Sequence, residues 1–235
     1  EYPVVIDPEL TGVFIHEAFG HLSEADRLIE NKSLRRLMKP GTVYGSRYLN
    51  VFDSGIEEGC RGTFKYDDEG VPSERTYLIK EGELVGRLHS RESAGVLREK
   101  PTGNARAVSY RFPPIPRMRV TCVEGGDVPF DDLIAEIKLG VYAVGAQGGE
   151  TGGENFTFTA EWGRMIRDGK LAELVRDVTL SGNVFHTLRS IDAVGEDFKI
   201  VKSGGSCGKG EQWPLPVSDG GPHIRISKAI VGGRK

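Results

Sequence analysis

A chain of 235 residues is long for one compact domain and short for two, since domains usually run about 100–200 residues. Lys plus Arg number 31 against 34 Asp plus Glu, so no broad basic surface for phosphate backbones is indicated and nucleic acid is not an expected partner. Hydrophobic residues at 38% and charged residues at 28% can support a sizeable core, and no apolar run approaches the roughly 18–20 residues that span a bilayer.

Three cysteines, Cys60, Cys122 and Cys207, are an odd and widely spaced set that does not read as a disulfide framework, which fits a reducing, cytoplasmic setting. Glycine, with 32 residues, stands at roughly twice its usual share of about 7%. The chain begins at Glu1 with no signal-peptide pattern, so it reads as a fragment or processed product.

In chain order, Tyr2 to Ile6 is a short apolar run ending at Asp7-Pro8, an N-cap followed by proline at the first helical position. Glu9 to about Ile29 then has helical composition. From Arg47 the texture changes to short apolar-polar alternations. Tyr48 to Phe52, Gly62 to Tyr66, Thr76 to Lys80 and Leu84 to His89 read as strands of antiparallel hairpins, with Asp67 to Gly70 and Glu81-Gly82 as turns. Met118 to Val123 is a further strand. Phe130, Leu133, Ile134 and Ile137 recur at helical spacing within Pro129 to Leu139. Val141 to Ala146, Asn155 to Trp162 and Arg164 to Arg167 read as strands, and Asp168-Gly169 is a hairpin turn signal before Leu171 to Leu180. A short helix covers Asn183 to Ile191, and Phe198 to Val201 and His223 to Val231 return to strand.

There is no βαβα alternation and no repeat of fixed period, so the expected fold is α+β: a large, mostly antiparallel sheet or barrel-like domain with one motif-bearing helix and a few short helices. The glycine clusters Gly145 to Gly153 and Gly204 to Gly210 fall between predicted strands and read as turns and bulges. Gly208-Lys209 is not a P-loop, because Ser203 stands where the first glycine belongs and Gly210 where Ser or Thr belongs.

The chemistry lies in His16-Glu17-Ala18-Phe19-Gly20-His21. In the zinc-protease motif H-E-x-x-H two histidines four apart share a helix face and the Glu is general base. Here one extra residue intervenes. At about 100° per residue, five residues leave the imidazoles roughly 140° apart, unable to share a metal on a regular helix. A π-bulge realigns the pair, and Gly20 suits that distortion. A hydrolytic zinc site needs a third protein ligand. Glu24, Asp26, His89, His186, His223 and Cys207 are the candidates. Glu24 could reach the metal or orient an imidazole from behind it. Cys207 sits in a flexible glycine-flanked loop with Lys209 nearby, which would favour thiolate.

HEAFGHLSEAD, from His16 to Asp26, resembles the signature of the TldD/PmbA metalloprotease family, and specifically its TldD-type subunit, since the PmbA (TldE) type lacks H-E-x-x-x-H. SCGKGEQ (Ser206 to Gln212), NFTFTAEWGRMIRDGKL and GNVFHTLRSIDAVGED are also similar to family segments, so the likeness covers essentially the whole chain. Gly210-Glu211 departs from the family pattern of a residue followed by Gly. The resemblance implies zinc bound by His16, His21 and Cys207, Glu17 as catalytic base, and a cytoplasmic peptidase acting on unfolded or flexible peptides. It implies a PmbA/TldE-type partner subunit, with peptide held along a sheet edge as an added strand. It also implies that residues 1–235 are the C-terminal metalloprotease domain of a longer chain whose N-terminal domain is not included. Two other readings are a thiol hydrolase with Cys207 as nucleophile and a non-catalytic peptide-binding module with structural zinc.

Overall fold

The computed structural model describes residues 1–234. It opens with strand β1 (Tyr2–Ile6) and helix α1 (Pro8–Ile15). Asp7 caps α1 as its sequence predicts: its Oδ1 accepts from the Leu10 N–H at 2.9 Å and from the Gly145 N–H at 3.2 Å. The helix does not run on to Ile29. It passes into a π-turn (His16–Gly20) and a 3₁₀ turn (His21–Ser23), breaks at Glu24 with φ −70° and ψ 110°, and resumes as α2 (Ala25–Glu30). Leu88 causes the break. Its carbonyl takes the Ala25 N–H and its N–H goes to Ser23 O, so the chain leaves helical geometry to pair across space.

Helix α3 (Lys32–Leu37) follows, then β2 (Val51–Ser54), β3 (Arg75–Lys80), β4 (Glu83–Leu84) and helix α4 (Arg91–Leu97). Neither α3 nor α4 was legible as a helix. Gly62 to Tyr66, expected as a strand, is turn and coil, and Leu84 to His89 keeps only its first residue in a strand. Next come β5 (Ala105–Arg106), β6 (Ile115–Pro116), β7 (Val120–Val123), α5 (Phe130–Ala135) and β8 (Leu139–Val144). The chain continues through β9 (Gly148–Gly152), β10 (Asn155–Thr159), β11 (Trp162–Arg167), β12 (Lys170–Asn183) and α6 (Val184–Arg189). It ends with β13 (Ile191–Val194), β14 (Lys199–Lys209), β15 (Gln212–Gly221) and β16 (Ile224–Arg234).

The α+β expectation holds. An eight-stranded sheet runs β13-β16-β1-β8-β11-β12-β10-β9, and an extra β16–β12 pairing closes β16, β1, β8, β11 and β12 into a ring. A six-stranded sheet runs β14-β15-β7-β2-β3-β4. Pairing is antiparallel except for β1–β8 and β15–β7.

The glycine clusters are not simply turns between strands. Gly148–Gly152 is strand β9, and Gly204 to Lys209 lies within β14, with register shifts between Val201 and Gly205 and between Cys207 and Lys209. Cys207 is therefore held on a paired strand opposite Leu215, not on a flexible loop.

Helix α1 lies between the two sheets, touching β15, β7 and β14 on one side and β8 and β9 on the other. Phe14 packs edge-on to Phe156 (5.4 Å between centroids) and beside Phe158 (5.6 Å), pairs that each contribute about 0.5–1.5 kcal/mol beyond burial. On the opposite face Gly12 has no room for a Cβ, which would stand 2.6 Å from Gly220 N and 2.6 Å from Asp219 Oδ1. This close approach seats the β14–β15 hairpin directly on the motif helix, and β14 carries Cys207.

Candidate metal centre

The π-turn is the element that the motif spacing demands. The His21 N–H bonds to His16 O, the i→i+5 bond that widens the helix, and the two imidazole centroids come to 5.2 Å with perpendicular rings. Gly20 is not the source of the distortion, for its φ of −56° and ψ of −51° are ordinary helical values. Its hydrogen side chain is required by Met118, whose Sδ would stand 2.0 Å from an added Cβ. Met118 is fully buried, so Gly20→Ala is expected to destabilise the protein by about 1–3 kcal/mol through overpacking. In urea unfolding, Gly20→Ala combined with Met118→Ala should lose less than the sum of the single losses; strict additivity contradicts the steric account.

His16 Nε2 lies 3.3 Å and His21 Nε2 3.4 Å from Cys207 Sγ, and the three donor atoms all fall within 4.8 Å of one another. Among the described residues this is the one group of three His, Cys, Asp or Glu donors so arranged. All three are buried. Tetrahedral ligands at a Zn–S distance of about 2.3 Å and a Zn–N distance of about 2.0 Å stand roughly 3.5 Å apart, so the two sulfur–nitrogen distances fit zinc. Two imidazoles and a thiolate also match its borderline-soft preference.

Burial raises the Cys207 thiol pKa, but the His16 and His21 hydrogen bonds outweigh it and pull it down to about 5. Lys209 is not the cause, contrary to the sequence-based expectation. Its Nζ turns away to Asp26 Oδ1 (2.7 Å), Pro116 O (3.0 Å) and Glu24 Oε2 (3.2 Å).

Glu24 is fully buried behind the cluster and does not join it. Its Oε2 accepts from His21 Nδ1 at 3.2 Å, orienting the ring so that Nε2 faces Cys207. Burial alone would raise the Glu24 carboxyl, but His21, Lys209 and Arg117 hold it well below the ordinary 4.5. Lys209 thereby ties the Cys207 strand to the end of the motif helix. Glu24→Gln leaves these cations facing a neutral amide, with an expected loss of about 3–5 kcal/mol of stability and roughly 10–100-fold of zinc affinity. Because the folded pKa is depressed, the contribution of Glu24 is present above pH 4.5 and lost as pH falls below it. Acid unfolding of Glu24→Gln should accordingly be less steep in that range; identical acid profiles contradict this role.

Glu17, next to His16 in the chain, is half-buried. The Thr151 hydroxyl of β9 reaches both the Glu17 carbonyl and its Oε2, the latter at 3.2 Å. Thr151 carries no sequence signal of its own; only the pairing of β9 with β10 brings it here. The remaining candidates lie elsewhere. Asp26 is engaged by Lys209. His89 is buried between Ser93 (3.1 Å) and Glu99 (2.9 Å), and His186 is exposed on α6. His223 bridges Asp197 (2.6 Å) and Tyr142 (2.9 Å).

Two histidines and one cysteine thus form a candidate metal centre in an α+β fold. The sequence profile described as "PmbA/TldA metallopeptidase C-terminal domain" matches residues 1–233, and the chain belongs to that family. It is 56% identical to a metalloprotease of Synechocystis sp. over 99% of this chain and 50% of that protein. It is 39% identical to the zinc metalloprotease TldD homolog of Saccharolobus solfataricus, over 99% of this chain and 52% of that protein. The chain thus spans about half the length of the curated relatives it matches. The crystal structure of TldE from Thermococcus kodakarensis shares the fold, with a TM-score of 0.79 at 22% identity over 99% of this chain and 50% of that one. Among the described residues no helix is long and apolar enough to cross a membrane.

Proposed function

We propose that this chain is the C-terminal metalloprotease domain of a TldD-type, zinc-dependent peptidase that cleaves unfolded or flexible peptides in the cytoplasm. The observation that carries the reading is the convergence of His16 Nε2, His21 Nε2 and Cys207 Sγ, with Glu17 next to His16 in the chain. His16, His21 and Cys207 would hold zinc, which when bound would supply Lewis acidity toward a carbonyl and a water. Glu17 accepts the attacking water's proton at its carboxylate and returns it to the leaving amine. Thr151 holds that carboxylate toward the edge strand. Glu24 and Lys209 fix His21 and the Cys207 strand, so the donors do not reorganise during the reaction.

Strand β9 ends the larger sheet, pairing among the described residues with β10 alone, and its Thr151 touches Glu17. A substrate backbone added to that free edge as a further strand would pass the carboxylate. The partner fitting this reading is a PmbA/TldE-type subunit; nucleic acid and membranes have no part in it. Peptidase activity on an unfolded peptide, measured with and without that partner, tests the reading: cleavage that tracks bound zinc supports it, and a zinc-loaded pair that leaves the peptide intact overturns it.

The short Cys207–His16 contact favours one second reading, a thiol nucleophile with imidazole as base. That chemistry needs no metal, so cleavage that survives zinc removal would select it.

A further inference from the structure

Helix α3 has no fully buried residue: Leu34 alone is partly covered, against the core, and its other residues are exposed. Lys32, Arg35 and Arg36 are spaced i, i+3 and i+4, which sets three cations on one face of the helix, and Lys39 follows just past its end at Leu37. None of the four forms an ion pair among the described residues. Like charges at these spacings destabilise a helix, and Lys32 stands in the first turn, where the helix dipole disfavours a cation. Asn31 holds the short helix nevertheless, its side chain accepting from Ser33 N and Leu34 N at 3.0 Å each. In a chain of net charge −3 this is a local concentration of positive charge with no internal partner.

Its position relates it to the candidate metal centre. The four cations line a surface concavity of 510 Å³. Lys32 also lines an adjoining cleft of 940 Å³ of mixed charge, whose walls include Leu22, next to His21, the pair Arg27 and Glu30, and Gly153-Glu154, the turn that follows edge strand β9. A chain laid along β9 past Glu17 leaves over that turn, into the cleft and toward α3. At about 3.3 Å per extended residue, a helix of six residues rising about 1.5 Å each faces roughly three residues of such a chain.

We infer that the cation-lined concavity at α3 forms a secondary recognition site for an acidic segment of the peptide substrate, reached through the adjoining cleft, on the side of the scissile bond that leaves over Gly153. This rests on the peptidase reading above. Exposed cations of this kind steer and hold an anionic chain through screened charge and set substrate preference without entering the chemistry.

The test uses the intact protein and two labelled peptides of one sequence, differing only in a flanking run of Glu or Gln. Fluorescence anisotropy on metal-free protein reads binding without cleavage, so failure of the peptidase reading would leave this result standing. The Glu peptide should bind roughly tenfold tighter at low salt, and the preference should vanish near 1 M salt, where the screening length shrinks to about 3 Å. The double variant Arg35→Glu/Arg36→Glu should abolish or reverse it. With zinc loaded, the preference should appear in KM and leave kcat alone. Equal binding of the two peptides, a preference that survives 1 M salt or the charge reversal, or displacement by an oligonucleotide as readily as by the Glu peptide would each overturn the assignment.

Discussion

Glu17→Gln should lower peptide cleavage by about 10²–10⁴-fold, the range over which a positioned general base contributes, while zinc stays bound. The substitution is close to isosteric. The amide oxygen can still accept from the Thr151 hydroxyl, which lies 3.2 Å from Glu17 Oε2, so strand β9 and the π-turn keep their contact. What disappears is the basicity needed to take a proton from water. Glu17 is no member of the three-donor cluster, so metal content should remain that of the unsubstituted protein. Near-normal cleavage by the zinc-loaded variant removes Glu17 from the chemistry. Loss of zinc together with activity would give it a structural task instead.

Cys207→Ser should have the largest effect on the metal. Losing an outer partner of a metal ligand costs roughly 10–100-fold in affinity, and losing the only soft donor should exceed that. The hydroxyl of serine does not ionise near neutral pH, whereas the Cys207 thiol, lowered to about 5, is already thiolate. Fold stability should change little, because the strand is held by its pairing with β15 and by Lys209 on Asp26 and Glu24. Zinc content measured beside a urea unfolding curve separates the two. Retention of stoichiometric zinc in a folded Cys207→Ser protein disqualifies the ligand.

The local half of the site was legible in the sequence. The i to i+5 separation of His16 and His21 excludes a regular helix for a shared metal, and the π-turn observed is the backbone answer to that spacing. The non-local half was not. Cys207 lies 191 residues from His16, and its pairing depends on the glycine contact that seats β15 on α1, which no periodicity encodes. Gly204 to Lys209 read as a loop because glycine is poor in strands, yet hydrogen bonding to β15 keeps most of it extended. The helix break at Glu24 depends on Leu88, and the need for glycine at position 20 depends on Met118. Helix α3 escaped notice because KSLRRL has only two apolar residues, of which Leu34 alone packs against the core and Leu37 stays exposed. The resemblance carried by HEAFGHLSEAD supplied Cys207 as third donor where spacing alone left six candidates open.

Removal and return of the metal tests the central claim most directly. The intact protein, with its partner subunit, is stripped with a chelator, assayed on an unfolded peptide, and assayed again as zinc is titrated back. Cleavage should fall to background and recover in proportion to bound zinc, saturating at one ion per chain, with Glu17→Gln binding the same zinc and recovering nothing. Full cleavage by zinc-free protein would contradict the account and turn attention to Cys207 as a nucleophile.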